Sequence, residues 1–356
     1  MNKLIGLLII SALIYINIFA ENPIDEKVNF LPEGNRSEYF FDRGLGYYNL
    51  NQYSNALKFI DQALEIYINN NDKPNMARCY NNIGNIYNKL NIFNKAMEYH
   101  LLSLELGETL NDEKRIVSSL NNIGNVLKSI EKYDEALEYY QKALNLSYEI
   151  KDNKGLSITL NNIGNIYLSK ENYEKALGFY NRSLILKKEL KDNFGIATSY
   201  NNIGISYQGL GSTAKALENY NISLEMMKEI HDGDGIASSY FHIGVSYYEK
   251  NDDKKASLNL ERALAYAQNC DNKQIMVSCY NLLAEIYTNQ RDYLKAYTAM
   301  KLYAELKDDL ISIQTQKEVA ELQIRYETEK KEQEIALLKT NASITNYQSK
   351  ESEMFI

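Results

Sequence analysis

The chain has 356 residues, 45% of them hydrophobic, with 42 asparagines and 30 tyrosines but no tryptophan. This hydrophobic content is enough for a large core and excludes global disorder. Three histidines and three cysteines disfavour a chain built on metal-binding motifs, and no cofactor is expected. The formal net charge of −8 disfavours a broad nucleic-acid-binding surface, so no nucleic-acid partner is expected.

The first 20 residues have the layout of a secretory signal. Lys3 precedes an apolar stretch over residues 4–20, which ends in the small residue Ala20 before the polar Glu21. We expect cleavage after Ala20 and export to the periplasm or the extracellular space. The alternative is an uncleaved membrane anchor, because about 17 residues are the lower limit for a helix that spans a bilayer.

A four-residue motif, Asn-Asn-Ile-Gly, recurs at intervals of 40 residues and begins at Asn81, Asn121, Asn161 and Asn201. Its glycine belongs to a longer series in the same register, which ends in an alanine: Gly44, Gly84, Gly124, Gly164, Gly204, Gly244 and Ala284. An alanine stands twelve residues after each member: Ala56, Ala96, Ala136, Ala176, Ala216, Ala256 and Ala296. Seven copies of a repeat therefore occupy about residues 37–316.

Each copy is predicted to form two amphipathic helices. At 100° per residue, Ile83, Gly84 and Tyr87 fall on one face of the first helix, whereas Asn82 and Asn85 fall on the other. A polar turn between copies carries an aspartate that we expect to cap the next helix. These aspartates are Asp72, Asp112, Asp152, Asp192 and Asp232. One aspartate per turn is too few for a calcium site, which needs several oxygen ligands.

The pattern resembles the tetratricopeptide repeat. A tyrosine or leucine stands three residues before the isoleucine of each Ile-Gly pair in the series, and the alanine follows the glycine at its fixed distance of twelve residues. The second helix of the third copy shows the rest of that pattern in Ala136, Tyr140 and Ala143. The 40-residue period is similar to the longer-helix subclass seen in kinesin light chains. The resemblance implies an all-α fold, a right-handed superhelix (α-solenoid) of about seven helix–turn–helix repeats with a C-terminal capping helix.

The resemblance also implies a noncatalytic scaffold that binds a peptide or a protein in a concave groove lined by the first helices. An asparagine amide both donates and accepts hydrogen bonds, as the backbone of an extended peptide does. The predicted groove residues are Asn82, Asn85, Asn122, Asn125, Asn162, Asn165, Asn202 and His242. The alternative is that these asparagines bond neighbouring helices and hold the array together.

Catalytic motifs are missing from the sequence, and an enzyme is not expected. There is no HExxH and no GxSxG, and Gly209-Leu210-Gly211 lacks the Lys-Ser/Thr that completes a phosphate-binding loop. We expect those glycines to mark a turn inside the fifth copy.

The outer segments of the chain are predicted as a lead-in over residues 21–36, a charged extended helix over 317–340 and a polar tail over 341–356. Residues 318–339 resemble the linker of bacterial exported tetratricopeptide sensor proteins, which joins the array to a membrane helix and an output domain. The alternative function is therefore the sensor half of a membrane signalling protein, of the histidine kinase or transcription regulator type, separated from its output domain. A membrane-associated partner and a homodimer formed by edge packing both remain compatible with the sequence.

Overall fold

The computed structural model describes residues 33–310, and within them the chain forms fourteen helices joined by short turns. The predicted signal segment, most of the lead-in and the charged segment over 317–340 lie outside the described residues. The first helices of the seven pairs are α1 Glu33–Asn49, α3 Lys73–Lys89, α5 Glu113–Ser129, α7 Asn153–Ser169, α9 Asn193–Gly209, α11 Gly233–Glu249 and α13 Lys273–Asn289. The second helices are α2 Tyr53–Asn69, α4 Phe93–Leu110, α6 Tyr133–Glu149, α8 Tyr173–Glu189, α10 Thr213–Glu229, α12 Asp253–Asn269 and α14, which runs from 293 to 310 in the described part.

Every described helix begins 20 residues after the previous one, so the 40-residue period of the sequence is one pair of helices. The first helix already begins at Glu33, before the boundary expected near residue 37. The Gly209-Leu210-Gly211 segment marks the turn from α9 to α10, as expected: Gly209 is the last residue of α9, and Gly211 has a φ of 69°.

The turns between helices share one geometry. In the turn from α2 to α3, Asn71 is left-handed, with a φ of 52°, and its N–H donates to the carbonyl of Ile68 at 3.0 Å. The N–H of Asp72 donates to the carbonyl of Tyr67 at 2.8 Å. This Schellman motif satisfies the last carbonyls of one helix, and its final residue is the N-cap of the next helix.

The predicted aspartates occupy the N-cap position in all five turns. Asp72, Asp112 and Asp192 accept the N–H three residues on with their carboxylates, whereas Asp152 and Asp232 make no such side-chain bond. The capping prediction is therefore confirmed for the position in every turn and for the hydrogen bond in three of them.

The glycine and alanine series mark the places where the two helices of a pair touch. The ring of Tyr180, on α8, lies so close to Gly164, on α7, that a Cβ on this glycine would be 2.6 Å from Tyr180 Cε1. Gly124 with Tyr140 and Gly204 with Tyr220 repeat the contact. The alanines of the second helices are fully buried from Ala56 to Ala256, so the core lies between the two layers of helices.

Candidate functional site

The first helices of neighbouring pairs form one layer of the array. Each described helix up to α13 packs against the next along the chain, and in addition α3 contacts α5, α5 contacts α7, α9 contacts α11 and α11 contacts α13. Second helices of neighbouring pairs do not contact each other to this extent within residues 33–310. The first helices are therefore more closely spaced than the second helices, and in any stack that curves the more closely spaced layer is the inner one. We call the layer of first helices the inner layer.

The first row of predicted groove residues runs across the inner layer and links successive pairs. Three of its asparagines donate from Nδ2 to the Oδ1 of an asparagine 41 residues earlier, over 2.7 to 3.5 Å. The pairs are Asn122 with Asn81, Asn162 with Asn121, and Asn202 with Asn161. The first member, Asn82, instead donates to the carbonyl of Arg78 on its own helix, at 2.9 Å.

These bonds show that the row helps to join neighbouring pairs of helices. This agrees with the alternative interpretation of the sequence, in which the asparagines hold the array together. They use one donor of each amide, whereas an asparagine has two donors and an acceptor oxygen. Asn122, Asn162 and Asn202 are half-buried, so their side chains still reach the surface of the inner layer. Of their three acceptors, Asn121 is buried, with 4% exposure, whereas Asn81 and Asn161 are half-buried like the donors.

His242 ends the first row and does not continue its hydrogen bonds. The imidazole stacks on the ring of Tyr220, with the ring centres 5.1 Å apart and the planes 13° from parallel. Burial lowers the pKa of His242 to about 4, so the ring is neutral at pH 7. The Oδ1 of Asn201, the atom that the pattern would pair with position 242, is buried without a hydrogen-bond partner.

The second row of predicted groove residues is bonded within its own pairs of helices. Tyr140 Oη donates to Asn125 Oδ1, and Tyr180 Oη donates to Asn165 Oδ1, both at 2.8 Å. In the second copy, the position of these tyrosines is occupied by His100, so Asn85 lacks the tyrosine hydroxyl that Asn125 and Asn165 accept from. Both rows lie on the inner layer, and every predicted asparagine except Asn85 also makes a side-chain hydrogen bond to another residue.

Sequence reasoning placed only His242 beyond Asn202 and missed a cavity in that part of the inner layer. The cavity opens there between α9, α10, α11 and α13, and it is lined by Asn201, Met227, Asp232 and Asp234, among others. Sequence reasoning also missed Lys187, on α8, which is only 7% exposed and whose Nζ donates to Asn161 Oδ1. Aligning the copies position by position shows both changes, because Met227 stands 40 residues after Lys187 and His242 stands 40 residues after Asn202.

The described residues hold neither a metal-binding cluster nor a membrane-spanning helix. Within residues 33–310, no three histidine, cysteine or acidic side chains gather in a way that would hold a metal ion. In the same range, no helix is both long enough and apolar enough to cross a membrane. The cysteines Cys79, Cys270 and Cys279 are free thiols, and the first and last of them are buried.

Comparison with known proteins decides the family. A family profile described as tetratricopeptide repeat matches residues 39–109, 115–189 and 195–269. The chain belongs to the tetratricopeptide repeat family. No curated protein sequence matches the chain significantly.

Solved structures with the same fold share little sequence with this tetratricopeptide repeat protein. The apo form of the quorum sensor NprR from B. thuringiensis is 20% identical, with a TM-score of 0.64, over 85% of this chain and 86% of that one. A Rap protein in complex with competence and sporulation factor is 16% identical, with a TM-score of 0.59, over 82% and 81%. A signal transduction ATPase with a tetratricopeptide repeat sensor from Pyrococcus horikoshii is 22% identical, with a TM-score of 0.63; the match covers 78% of this chain but only 44% of the ATPase.

Proposed function

We propose that this protein is a noncatalytic scaffold that binds a peptide or an unfolded segment of a protein along the inner layer. The observation that carries the proposal is the first row of asparagines. Four half-buried amides stand at one register on four successive first helices, from Asn82 on α3 to Asn202 on α9. Their unused donors and acceptors face the same side of the array.

The spacing of the row suits an extended peptide that crosses the helices. Neighbouring packed helices are about 8–10 Å apart, and an extended chain advances roughly 3.3 Å per residue. About every third residue of the peptide would therefore meet one asparagine. An amide can accept from a backbone N–H or donate to a backbone carbonyl, so the row recognises backbone more than side chains.

The solved relatives support binding as a role for this fold. One of them is a Rap protein complexed with competence and sporulation factor, and another is named as a quorum sensor. At 16% and 20% identity they share the fold with this chain, and the binding of a peptide or protein by this chain is our own proposal.

A display library of random peptides, panned against the chain from Glu21 onward, tests the proposal. The groove variant is Asn82→Ala with Asn122→Ala. The matched control is Asn181→Ala with Asn221→Ala, because these exposed asparagines of α8 and α10 also bond a carbonyl four residues earlier, as Asn82 does. We expect selected peptides to lose about tenfold in affinity for the groove variant, the loss of roughly 1.4 kcal/mol, and none for the control.

We also propose that the protein is exported, on the strength of the apolar segment over residues 4–20. Mass spectrometry of the protein recovered from the periplasm or the medium checks this. A mature N-terminus at Glu21 is the expected result. A protein that keeps Met1 and sediments with membranes would instead favour the uncleaved anchor.

A further inference from the structure

The cavity in the inner layer has a volume of about 330 Å³. This is at the small end of ligand pockets, which span about 300–1,000 Å³, and suits one side chain better than a cofactor. Its charged lining residues are two acids, with no lysine or arginine among them. The lining residues used below are Phe194, Asn201, Met227, Asp232, Asp234 and Ser239.

The equivalent place one copy earlier is filled by the protein's own ammonium group. Lys187 Nζ donates to Ser199 Oγ at 3.0 Å and to Asn161 Oδ1 at 3.5 Å. The carboxylate of Asp192 is near enough to favour the charged form of Lys187, against the burial that lowers its pKa. A serine hydroxyl, an asparagine oxygen and an aspartate therefore surround this ammonium.

The same three acceptors recur 40 residues later without a lysine. Ser239, Asn201 and Asp232 stand at the positions of Ser199, Asn161 and Asp192, and all three line the cavity. At the position of the lysine stands Met227. Asn161 Oδ1 accepts from both Lys187 and Asn202, and because Met227 and His242 replace these two donors, Asn201 Oδ1 is buried with no hydrogen-bond partner.

The two long side chains follow the same path, which supports the equivalence of the two places. A Cβ built on Gly195 would lie 3.0 Å from Lys187 Cδ, and one built on Gly235 would overlap Met227 Sδ. Met227 thus copies the apolar stem of the lysine and stops short of its charged end.

Charge favours a cation in this cavity. The carboxylate of Asp192 accepts a hydrogen bond from the N–H of Gly195 at 2.9 Å, whereas the carboxylate of Asp232 accepts no N–H of its helix. Asp234 is held at the rim, where its Oδ1 accepts from Asn272 Nδ2 at 2.9 Å. Cys270 Sγ also donates to Asp234 Oδ1, at 3.1 Å, but these neutral donors leave the negative charge of both aspartates in place, and a cation beside them would offset it.

We propose that the cavity binds the ammonium group of a lysine side chain of the bound peptide, at the place that Lys187 Nζ occupies one copy earlier. The ammonium donates to Asn201 Oδ1 and Ser239 Oγ, and the carboxylates of Asp232 and Asp234 balance its charge. The exposed ring of Phe194 covers the methylene stem. This inference rests on the proposed function in one respect, that the lysine belongs to a peptide bound in the groove. Binding of an ammonium group in the cavity can be tested without that peptide.

The probe is Nα-acetyl-L-lysine N-methylamide, titrated into the ¹⁵N-labelled chain and followed by NMR. Its Nε-acetylated derivative keeps the backbone and removes the charge. We expect the charged probe to bind at least tenfold more tightly and to shift amide signals around the cavity. The variant Met227→Lys supplies an internal ammonium and should abolish binding, whereas Lys187→Met should create a second binding site.

The contribution of a single carboxylate is tested with two matched substitutions at N-cap positions. Asp232→Asn should weaken binding of the charged probe several-fold. Asp152→Asn removes the same kind of carboxylate, which also makes no side-chain capping bond and does not line the cavity, and it should leave binding unchanged. This pair decides the question if Met227→Lys does not fold.

Equal binding of the two probes, unchanged binding by folded Met227→Lys, or equal binding of an arginine probe would overturn the lysine site. Peptides that are selected by the wild-type chain without enrichment of lysine would also overturn it, and would leave the proposed groove function standing. If no peptide is selected, the groove function fails, and the small probe still decides whether the cavity accepts an ammonium.

Discussion

Asn122 Nδ2 lies 2.7 Å from Asn81 Oδ1, and this hydrogen bond joins the inner helices of two successive repeats. One side chain therefore serves both the cohesion of the array and, in our proposal, the recognition of a peptide. The effect of a substitution at Asn122 on the free energy of unfolding must therefore be measured before its effect on peptide affinity is interpreted.

Asn122→Ala should lower the free energy of unfolding by about 1 kcal/mol, the usual net value of a hydrogen bond, because the acceptor Asn81 is only half-buried. Asn82→Ala should cost less, because its amide bonds only to the carbonyl of Arg78 on its own helix. Urea denaturation followed by circular dichroism compares the two. Equal losses would mean that the bond between repeats adds nothing to stability.

Gly164→Ala should destabilise the protein by about 1–3 kcal/mol, the range for inserting a methyl group into a packed core. The new Cβ would lie 2.6 Å from the ring of Tyr180. The control is Gly178→Ala on α8, where a Cβ meets nothing within 4 Å; alanine should stabilise this exposed helical position by about 0.5–1 kcal/mol. Thermal melts of both variants should therefore shift in opposite directions, and a neutral result for Gly164→Ala would refute the close contact.

His100→Tyr should stabilise the protein by about 1–2 kcal/mol. Both ring nitrogens of His100 are buried without a hydrogen-bond partner, whereas Tyr140 at the equivalent position donates its hydroxyl to Asn125 at 2.8 Å. The substitution offers Asn85 the same partner. Chemical denaturation at pH 8 measures the difference.

The same variant should also change the pH dependence of stability. Burial lowers the pKa of His100 to about 4 from its ordinary 6.5. Between these values the unfolded chain binds more protons than the folded one, so the wild-type protein loses stability as the pH falls. The advantage of His100→Tyr should therefore grow from pH 6.5 to pH 4, since His242 contributes equally to both proteins. A difference that stays constant over this range would show that His100 is not held neutral.

Much of the fold could be predicted because the sequence repeats the contacts that make it. Gly164 and Tyr180 recur in register with their equivalents, and each pair defines how two helices touch. The aspartates such as Asp72 mark where each first helix starts. A helical wheel also places Asn122 on the polar face, as the structure does.

The partners of these side chains could not be predicted from one helix. Asn121 and Asn122 are neighbours in a polar motif, yet Asn121 is buried and accepts a bond from a helix 41 residues further on. Lys187 is charged and on an amphipathic helix, where exposure is the usual expectation, but it is buried beneath the inner layer. The cavity is lined by Asn201, Met227 and Ser239 together, which stand on three different helices.

The turns offer a prediction about backbone strain. Lys151 has a φ of 55°, a conformation that costs a residue with a Cβ about 1 kcal/mol or more. Lys151→Gly should therefore stabilise the protein by about 0.5–1 kcal/mol. Gly211, at the equivalent place with a φ of 69° and open space around it, provides the reverse test, and Gly211→Ala should destabilise by a similar amount. Equal melting temperatures for wild type and both variants would contradict this.

The most direct test of the groove is the affinity of a library-selected peptide for three proteins, measured by isothermal titration calorimetry. They are the wild-type chain, the groove variant with Asn82→Ala and Asn122→Ala, and the control on the second helices α8 and α10 with Asn181→Ala and Asn221→Ala. We predict about a tenfold loss in the groove variant alone, at temperatures where all three are folded. Equal affinity of the groove variant and the control would contradict the proposal and leave the asparagine row with a structural role only.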